Sequence, residues 1–451
     1  MENKEFLGTE PIGKLLFKLA VPTVIAQIIN MLYNIVDRIY IGHMPGNGSL
    51  ALTGVGVCMP IILIVSAFAA LVSSGGAPRA SIAMGQGKYD KAESILGECF
   101  FLQVIISVIL TIVLLVFGRS FLLAFGASEN TIGYATSYMR IYALGTIFVQ
   151  LTLGMNAFIT AQGFASTGML TVLIGAVCNI ILDPIMIFVL NLGVSGAALA
   201  TIISQGISTI WVLSFLKSNK SNVRLKKEYM KLEKDVIVPC ITLGLATFIM
   251  QASESIISVC FNSSLQKYGG DIAVGAMTIL SSVMQLAMLP MQGIGQGAQP
   301  IASYNFGAKN KERVKETFKL LLISSFSYST LLWLFIITCP KLFASIFSPD
   351  AVLIDYTANA LRIYCASLFL FGIQIACQMI FVSIGNAVDS IIVAVLRKFV
   401  LLIPLIYIVP HFVSDATTGV FLAEPIADAL AVAFTATLFF FEFRKALKKL
   451  A

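Results

Sequence analysis

Polar residues along this chain are sparse and clustered, and long apolar stretches run between the clusters. Twelve stretches stand out, at about 15–41, 50–76, 94–117, 133–158, 166–191, 195–216, 236–262, 272–299, 316–339, 354–383, 388–410 and 418–441. About 20 apolar residues at about 1.5 Å per residue cross the hydrocarbon core of a bilayer. The runs lack the short alternation of barrel strands, and irregular backbone cannot face lipid, so each is expected to be a helix. Composition agrees: 58% of the 451 residues are hydrophobic and only 12% charged, where a soluble protein carries about a quarter charged. The expected fold is an all-α polytopic membrane protein. The opening MENKEFLGTEPIGK carries no cleavage signature, so the first span is expected to direct insertion.

The net charge of +7 changes the picture only through its distribution. Connections on the side of the N-terminus hold Arg79, Lys88 and Lys91, then Lys217 to Lys234, then Lys309 to Lys319, and the C-terminal Arg444, Lys445, Lys448 and Lys449. The opposite connections carry Arg119, Lys267 and Lys341. This positive-inside pattern puts both termini in the cytoplasm of a plasma-membrane protein and removes the case for a nucleic-acid partner. The eight cysteines lie in or at the ends of spans without metal-ligand spacing and read as packing residues. His43 and His411 support neither a metal site nor a triad.

The chain also repeats itself. The longest polar connection, 217–235, separates a six-span half at 1–216 from another at 236–451. At an offset of about 220 residues, Pro22 answers Pro239, GQGKYDKA answers NFGAKNKE, RIYA at Arg140 answers RIYC at Arg362, Pro184 answers Pro404, and GAALA (196–200) answers GVFLA (419–423). Six spans per half means that both halves enter the membrane from one side, so the repeat is parallel. Two pseudo-symmetric six-helix lobes facing across a cleft are expected, a complete unit as a monomer.

A charge at helix centre costs roughly 2.5–3.5 kcal/mol on insertion scales, which makes an intramembrane acid a functional candidate. Four stand within the spans on this reading: Asp37, Asp183, Glu254 and Asp428. Asp37 and Glu254 each fall fifteen residues after the matching prolines. Asn179 precedes Asp183 by four residues, one turn away on the same helix face. Asp183 and Thr201 lie nine residues either side of the tight connection NLGVSG, which brings them to similar depth. Asp37 lies about 8 Å from the outer end of its span against about 13 Å for Asp183. Two carboxylates, an amide and a hydroxyl offer oxygens to a small hard cation such as Na+, or hold a proton between like charges. Glu254, with no acid near its depth but Asp428, suits a cationic substrate. Asn30, Tyr33, Gln251, Met288 and Met291 are candidate cleft-lining residues, methionine suiting varied ligands. Interior cations are expected to be few.

The segments PTVIAQIINMLYNIVDRIYIG, NIILDP, GAALAT and QGAQPIASYNFGA, in that order and across twelve spans, resemble the multidrug and toxic compound extrusion (MATE) family over essentially the whole chain. The resemblance implies two lobes in a V and export of organic cations in exchange for H+ or Na+, with no other cofactor. It also implies a cation site in the N-terminal lobe at Asp37, Asn179, Asp183 and Thr201 with the Ala197 backbone nearby. Some members pair a helix-7 glutamate with a helix-10 aspartate; Glu254 matches the first, whereas helix 10 offers only Asp355 at its start. The rival reading with the same architecture is a lipid-linked oligosaccharide flippase, which needs cleft cations to hold a pyrophosphate. A membrane-embedded enzyme is disfavoured because no serine elbow, metal spacing or acid–histidine pairing is present.

Overall fold

The computed structural model describes residues 5–46, 48–347 and 350–450; the charged start at 1–4, and with it the outer edges of the two expected halves, lies outside them. Among the described residues nine helices are each long and apolar enough to cross a membrane, and two bent pairs qualify as single spans. One of the nine, Lys234–Gly307, runs 74 residues, about 110 Å if straight, far more than a bilayer needs. It turns at Gly270, where φ is 65°, a region that glycine enters without penalty. Counted as two, it completes the expected twelve spans.

In the first lobe these are α1 (Ile12–Gly42), α2 (Gly48–Gly85), α3 (Tyr89–Ala124), α4 (Ile132–Leu144 with Thr146–Ala161), α5 (Ala165–Val189) and α6 (Gly193–Lys217). The second lobe holds α7 and α8 (the two halves of Lys234–Gly307), α9 (Lys311–Thr338), α10 (Ala351–Tyr364 with Leu368–Ser383), α11 (Ala387–His411) and α12 (Ala416–Lys448).

Two spans expected to be continuous are broken. α4 bends by 57° and α10 by 48°, each directly after the repeated RIYA or RIYC. In α4 the hinge residue is Gly145, where a Cβ would come within 2.3 Å of the Ile202 side chain from α6. The space at the bend is already filled by a neighbour, so only a glycine fits there.

Three apolar cores set the architecture. One contains residues of both lobes, among them Leu15, Val72 and Leu96 with Cys240, Ile301 and Phe381. The other two are confined to one lobe each, around Val55, Tyr138 and Ala197 and around Phe261, Leu361 and Phe421. The lobes therefore share a core on one half of the molecule and have separate cores on the other, which is the form of a V. The closed end carries both termini: Arg313, at the start of α9, donates to the carbonyls of Leu7 (3.0 Å) and Glu10 (2.7 Å), and Phe318 packs on Phe443 near the C-terminus.

Small residues make the closed end possible. Added to Gly75 of α2, a Cβ would lie 1.8 Å from the Cys240 carbonyl oxygen of α7; added to Gly244, it would lie 1.8 Å from that of Leu71. Close backbone approach of this kind is how membrane helices associate when lipid gives them no hydrophobic drive. Side chains reinforce it: Thr23 donates to the Gly293 carbonyl (2.6 Å), Gln27 to Gln296 (3.1 Å) and Ser81 to the Pro300 carbonyl (3.3 Å). The connection at 218–233 straps onto the first lobe. Lys226 pairs with Glu93 at 2.5 Å, which lifts the lysine's pKa above its usual value, and the Glu233 N–H donates to Glu98 (2.8 Å).

Alanine favours a helix over glycine by about 1 kcal/mol, so Gly13→Ala, with no atom nearer than 4.0 Å to a Cβ, is expected to hold or raise the thermal unfolding midpoint. Gly244→Ala is expected to lower it, as the clash outweighs propensity. Equal shifts for the two variants would mean that the crossing is not close-packed.

Candidate functional site

In the first lobe, α1, α5 and α6 bring the predicted residues together. The Asn179 amide donates to Asp183 (3.2 Å) and to the Thr201 hydroxyl (3.5 Å), and Thr201 donates to the Ala197 carbonyl (3.0 Å). The Asp37 and Asp183 carboxyl groups face each other at hydrogen-bonding range. Asp183 and Asn179 are buried and Asp37 is half-buried. Three oxygens here have no donor: Asp37 Oδ1, Asn179 Oδ1 and Asp183 Oδ2. Buried acceptors are nearly always satisfied, and two carboxylates side by side repel unless a proton or cation lies between them. Among the described residues no lysine or arginine is ion-paired to either carboxylate.

Local structure explains the convergence. Asn179 and Asp183 share a face of α5, and Pro184 ends its regular helix, handing over to a π turn at Ile185–Val189. Such turns frequently mark functional sites in helices. Tyr33 lies beside Asp37, and Tyr138 of α4 beside Thr201 and Asp37. Tyr138 was missed in the sequence because a tyrosine one turn before another looks like packing. Arg38, an exposed neighbour of Asp37, was missed as well.

The second lobe departs from expectation. Glu254 is not a lone glutamate, and the interior is not poor in cations. Lys398 of α11 donates to Glu254 at 2.6 Å, and Arg397 donates to Asp428 at 2.7 Å and to Glu424 at 3.2 Å, with its guanidinium over the Phe371 ring. Lys398 and Arg397 are buried, whereas the Glu254 side chain is 56% exposed. Desolvated cations need paired acids, and the pairs are present. A signal existed: the doublet RK interrupts an apolar run, and Glu424 precedes Asp428 by four residues on the same face of α12. Asp355 pairs with Lys341 outside this cluster.

The other lining candidates divide. Gln251 is exposed and Met288 half-buried, but Met291 is fully buried in the second lobe's core, where its sulfur fills space. The Asn30 carbonyl accepts from Asn34 (2.6 Å).

A polytopic helical membrane protein with two repeated lobes, a cleft between them and a cation-seeking acid cluster in one lobe is the form of a secondary transporter. The family model MatE matches residues 22–185 and 246–408, once per lobe, and the chain belongs to that family. Multidrug export protein MepA of Staphylococcus haemolyticus is 25% identical over 429 residues, 95% of this chain and 93% of the relative. Its counterpart in Staphylococcus aureus strain N315 is 24% identical over 429 residues, 95% and 94%. Among solved structures, a crystal structure of MATE in the bent conformation superposes with a TM-score of 0.93 at 23% identity, covering 100% of this chain and 99% of that one. An outward-facing multidrug resistance MATE family transporter of the MOP superfamily gives 0.90 at 23% identity, with 100% and 99% coverage.

Removing one partner of a buried ion cluster leaves uncompensated charge and costs about 3–5 kcal/mol. Arg397→Met is expected to lower the unfolding midpoint sharply, and adding Glu424→Gln and Asp428→Asn to recover most of the loss. No recovery would mean that Arg397 acts by packing.

Proposed function

We propose that this protein is an antiporter, not an enzyme, that exports organic cations across the plasma membrane in exchange for one small cation, H+ or Na+. The observation that carries the reading is the set of three donorless oxygens on Asp37, Asn179 and Asp183. Two carboxylates and an amide oxygen gathered in one place suit a small positive charge. The names of the Staphylococcus relatives, multidrug export proteins, support the cargo class.

The lysine- and arginine-rich connections support a cytoplasmic position for the closed, terminus-bearing end, and on that reading the cleft of this conformation opens outward. Cargo leaves from here when the ion binds. For exchange to occur, the ion must favour a state in which cargo binds more weakly, since an ion with equal affinity for both states shifts nothing. Asp37 sits on α1, whose other half crosses the second lobe at Thr23 and Gln27. Ion entry at Asp37 therefore acts on the same helix that holds the lobes closed. Pro22 within α1 and Pro184 at the end of regular α5 interrupt the hydrogen-bond ladder and are the bending points of this scheme. One chain holds both lobes, which supports action as a monomer.

The flippase alternative is not favoured. Such a cleft needs free cations for pyrophosphate, and both cations inside α11 are already engaged by carboxylates.

The test is gradient-driven ethidium uptake into proteoliposomes, wild type against Asp37→Asn. Wild type is expected to concentrate the dye; the variant is expected to bind it with similar affinity but not concentrate it. Equal accumulation would remove coupling from Asp37. Uptake under a sodium gradient but not a pH gradient would identify the ion as Na+, and the reverse as H+.

A further inference from the structure

The repeat makes the two acid sites comparable position by position. Asp37 of α1 corresponds to Glu254 of α7, α5 with its π turn corresponds to α11 with its own at Leu396–Leu402, and GAALA-Thr201 aligns with GVFLA-Glu424. Each lobe therefore has one site built from equivalent helices. In the first lobe the acceptors lack a cation. In the second, the π turn of α11 itself supplies two, Arg397 and Lys398.

The two cations are held differently. Arg397 is locked between two buried acids and a ring. Lys398 holds Glu254 through one bond, to Oε1 (2.6 Å), and Glu254 projects from its lobe with 56% of its side chain exposed. It lies past Phe248, whose ring contact with Phe68 belongs to the interlobe crossing. An exposed carboxylate in a span is tolerated where water reaches it, so Glu254 opens on the cleft. Behind it, Glu424 Oε2 is buried and without a donor, while Glu424 Oε1 is held by Arg397, the residue next to Lys398. The lysine thus has a second acid to turn to. When all three acids are ionised, three acids against two bases leave the cluster one negative charge, which a monovalent cation neutralises. Tyr364 and Cys365 of α10 are the other titratable groups facing Glu424.

We infer that Lys398 is a tethered counter-ion occupying a second cation site at Glu254, and that an organic monocation arriving from the cleft takes Glu254 by displacing the lysine toward Glu424. This rests on the organic-cation reading and adds to it a competitor within the protein. Affinity for cargo is then set by an exchange of partners, as a bound ammonium must be given up for each cation received. A long, flexible lysine suits the role because it swings between acids; an arginine, with its planar fork, would grip too firmly.

The test is ethidium binding to the purified full-length protein by fluorescence anisotropy, across Lys398→Gln, Lys398→Arg, Glu254→Gln and the double Lys398→Gln/Glu254→Gln. Removing the tethered competitor is expected to tighten binding about tenfold, a change of about 1.4 kcal/mol. In the Glu254→Gln background the same removal is expected to change nothing, and Lys398→Arg to weaken binding. Glu254 is solvated on one side, so Lys398→Gln leaves no stranded buried charge there; if it nevertheless fails to fold, Lys398→Arg carries the test in the opposite direction. Unchanged or weaker binding by folded Lys398→Gln, or unchanged binding by Lys398→Arg, would overturn the inference while leaving the export reading in place. A wild-type protein that binds no organic cation would overturn both.

Discussion

An ionised side chain inside an apolar helical bundle must meet a charge of opposite sign, because the surroundings cannot solvate it. This constraint organises both lobes, and they satisfy it in opposite ways. Around Arg397 and Lys398 the chain provides both signs, three acids to two bases, within one cluster. Around Asp37 and Asp183 it provides two acids, an amide and a hydroxyl, with no ion pair to either carboxylate among the described residues. The difference is chemical rather than architectural, since equivalent helices of a duplicated unit build both places. One lobe sets bases among its acids; the other brings its acids together without them.

The way the lobes meet gives these sites their access. At the terminus-bearing end the lobes share an apolar core, and glycines and small polar residues let their backbones meet, where α2 crosses α7 at Gly75 and Gly244 and α1 crosses α8 at Thr23 and Gly293. Backbones that approach so closely form a rigid seam but leave no bulk to fill the space beyond it. The outer halves of α1 and α7, which carry Asp37 and Glu254, therefore stand apart, each backed by its own lobe's core. Seam and acid share a helix in both lobes. The geometry provides a mechanical route from site to seam, and Arg313 latches onto the Leu7 and Glu10 carbonyls at the same end.

Much of this was legible in the sequence for a simple reason. In lipid, helices must satisfy their own backbone, so apolar length reports span directly, and even the repeat appears as a spacing of prolines and motifs. The four first-lobe residues Asp37, Asn179, Asp183 and Thr201 were reached by counting residues from the ends of helices, because depth in a membrane is nearly linear in sequence. What depth does not give is direction around the helix axis. Glu254 and Met291 were both candidates for the cleft lining, yet one side chain is exposed and the other is sealed in the core. Arg397 and Lys398 lie at the middle of α11 and turn inward to acids on α7 and α12, a pairing that depth along a single helix does not reveal.

The sequence by itself determined that this is a two-lobed helical membrane protein, which ends of its spans share a side, and at what depth its acids lie; all three follow from the length and order of apolar runs. The tertiary structure decided which acids lack a partner and which are already paired, where α4 and α10 bend, and which end of the cleft is shut. Those properties depend on how helices distant in sequence rotate and cross. A single run of residues carries no record of the face that its neighbours will cover.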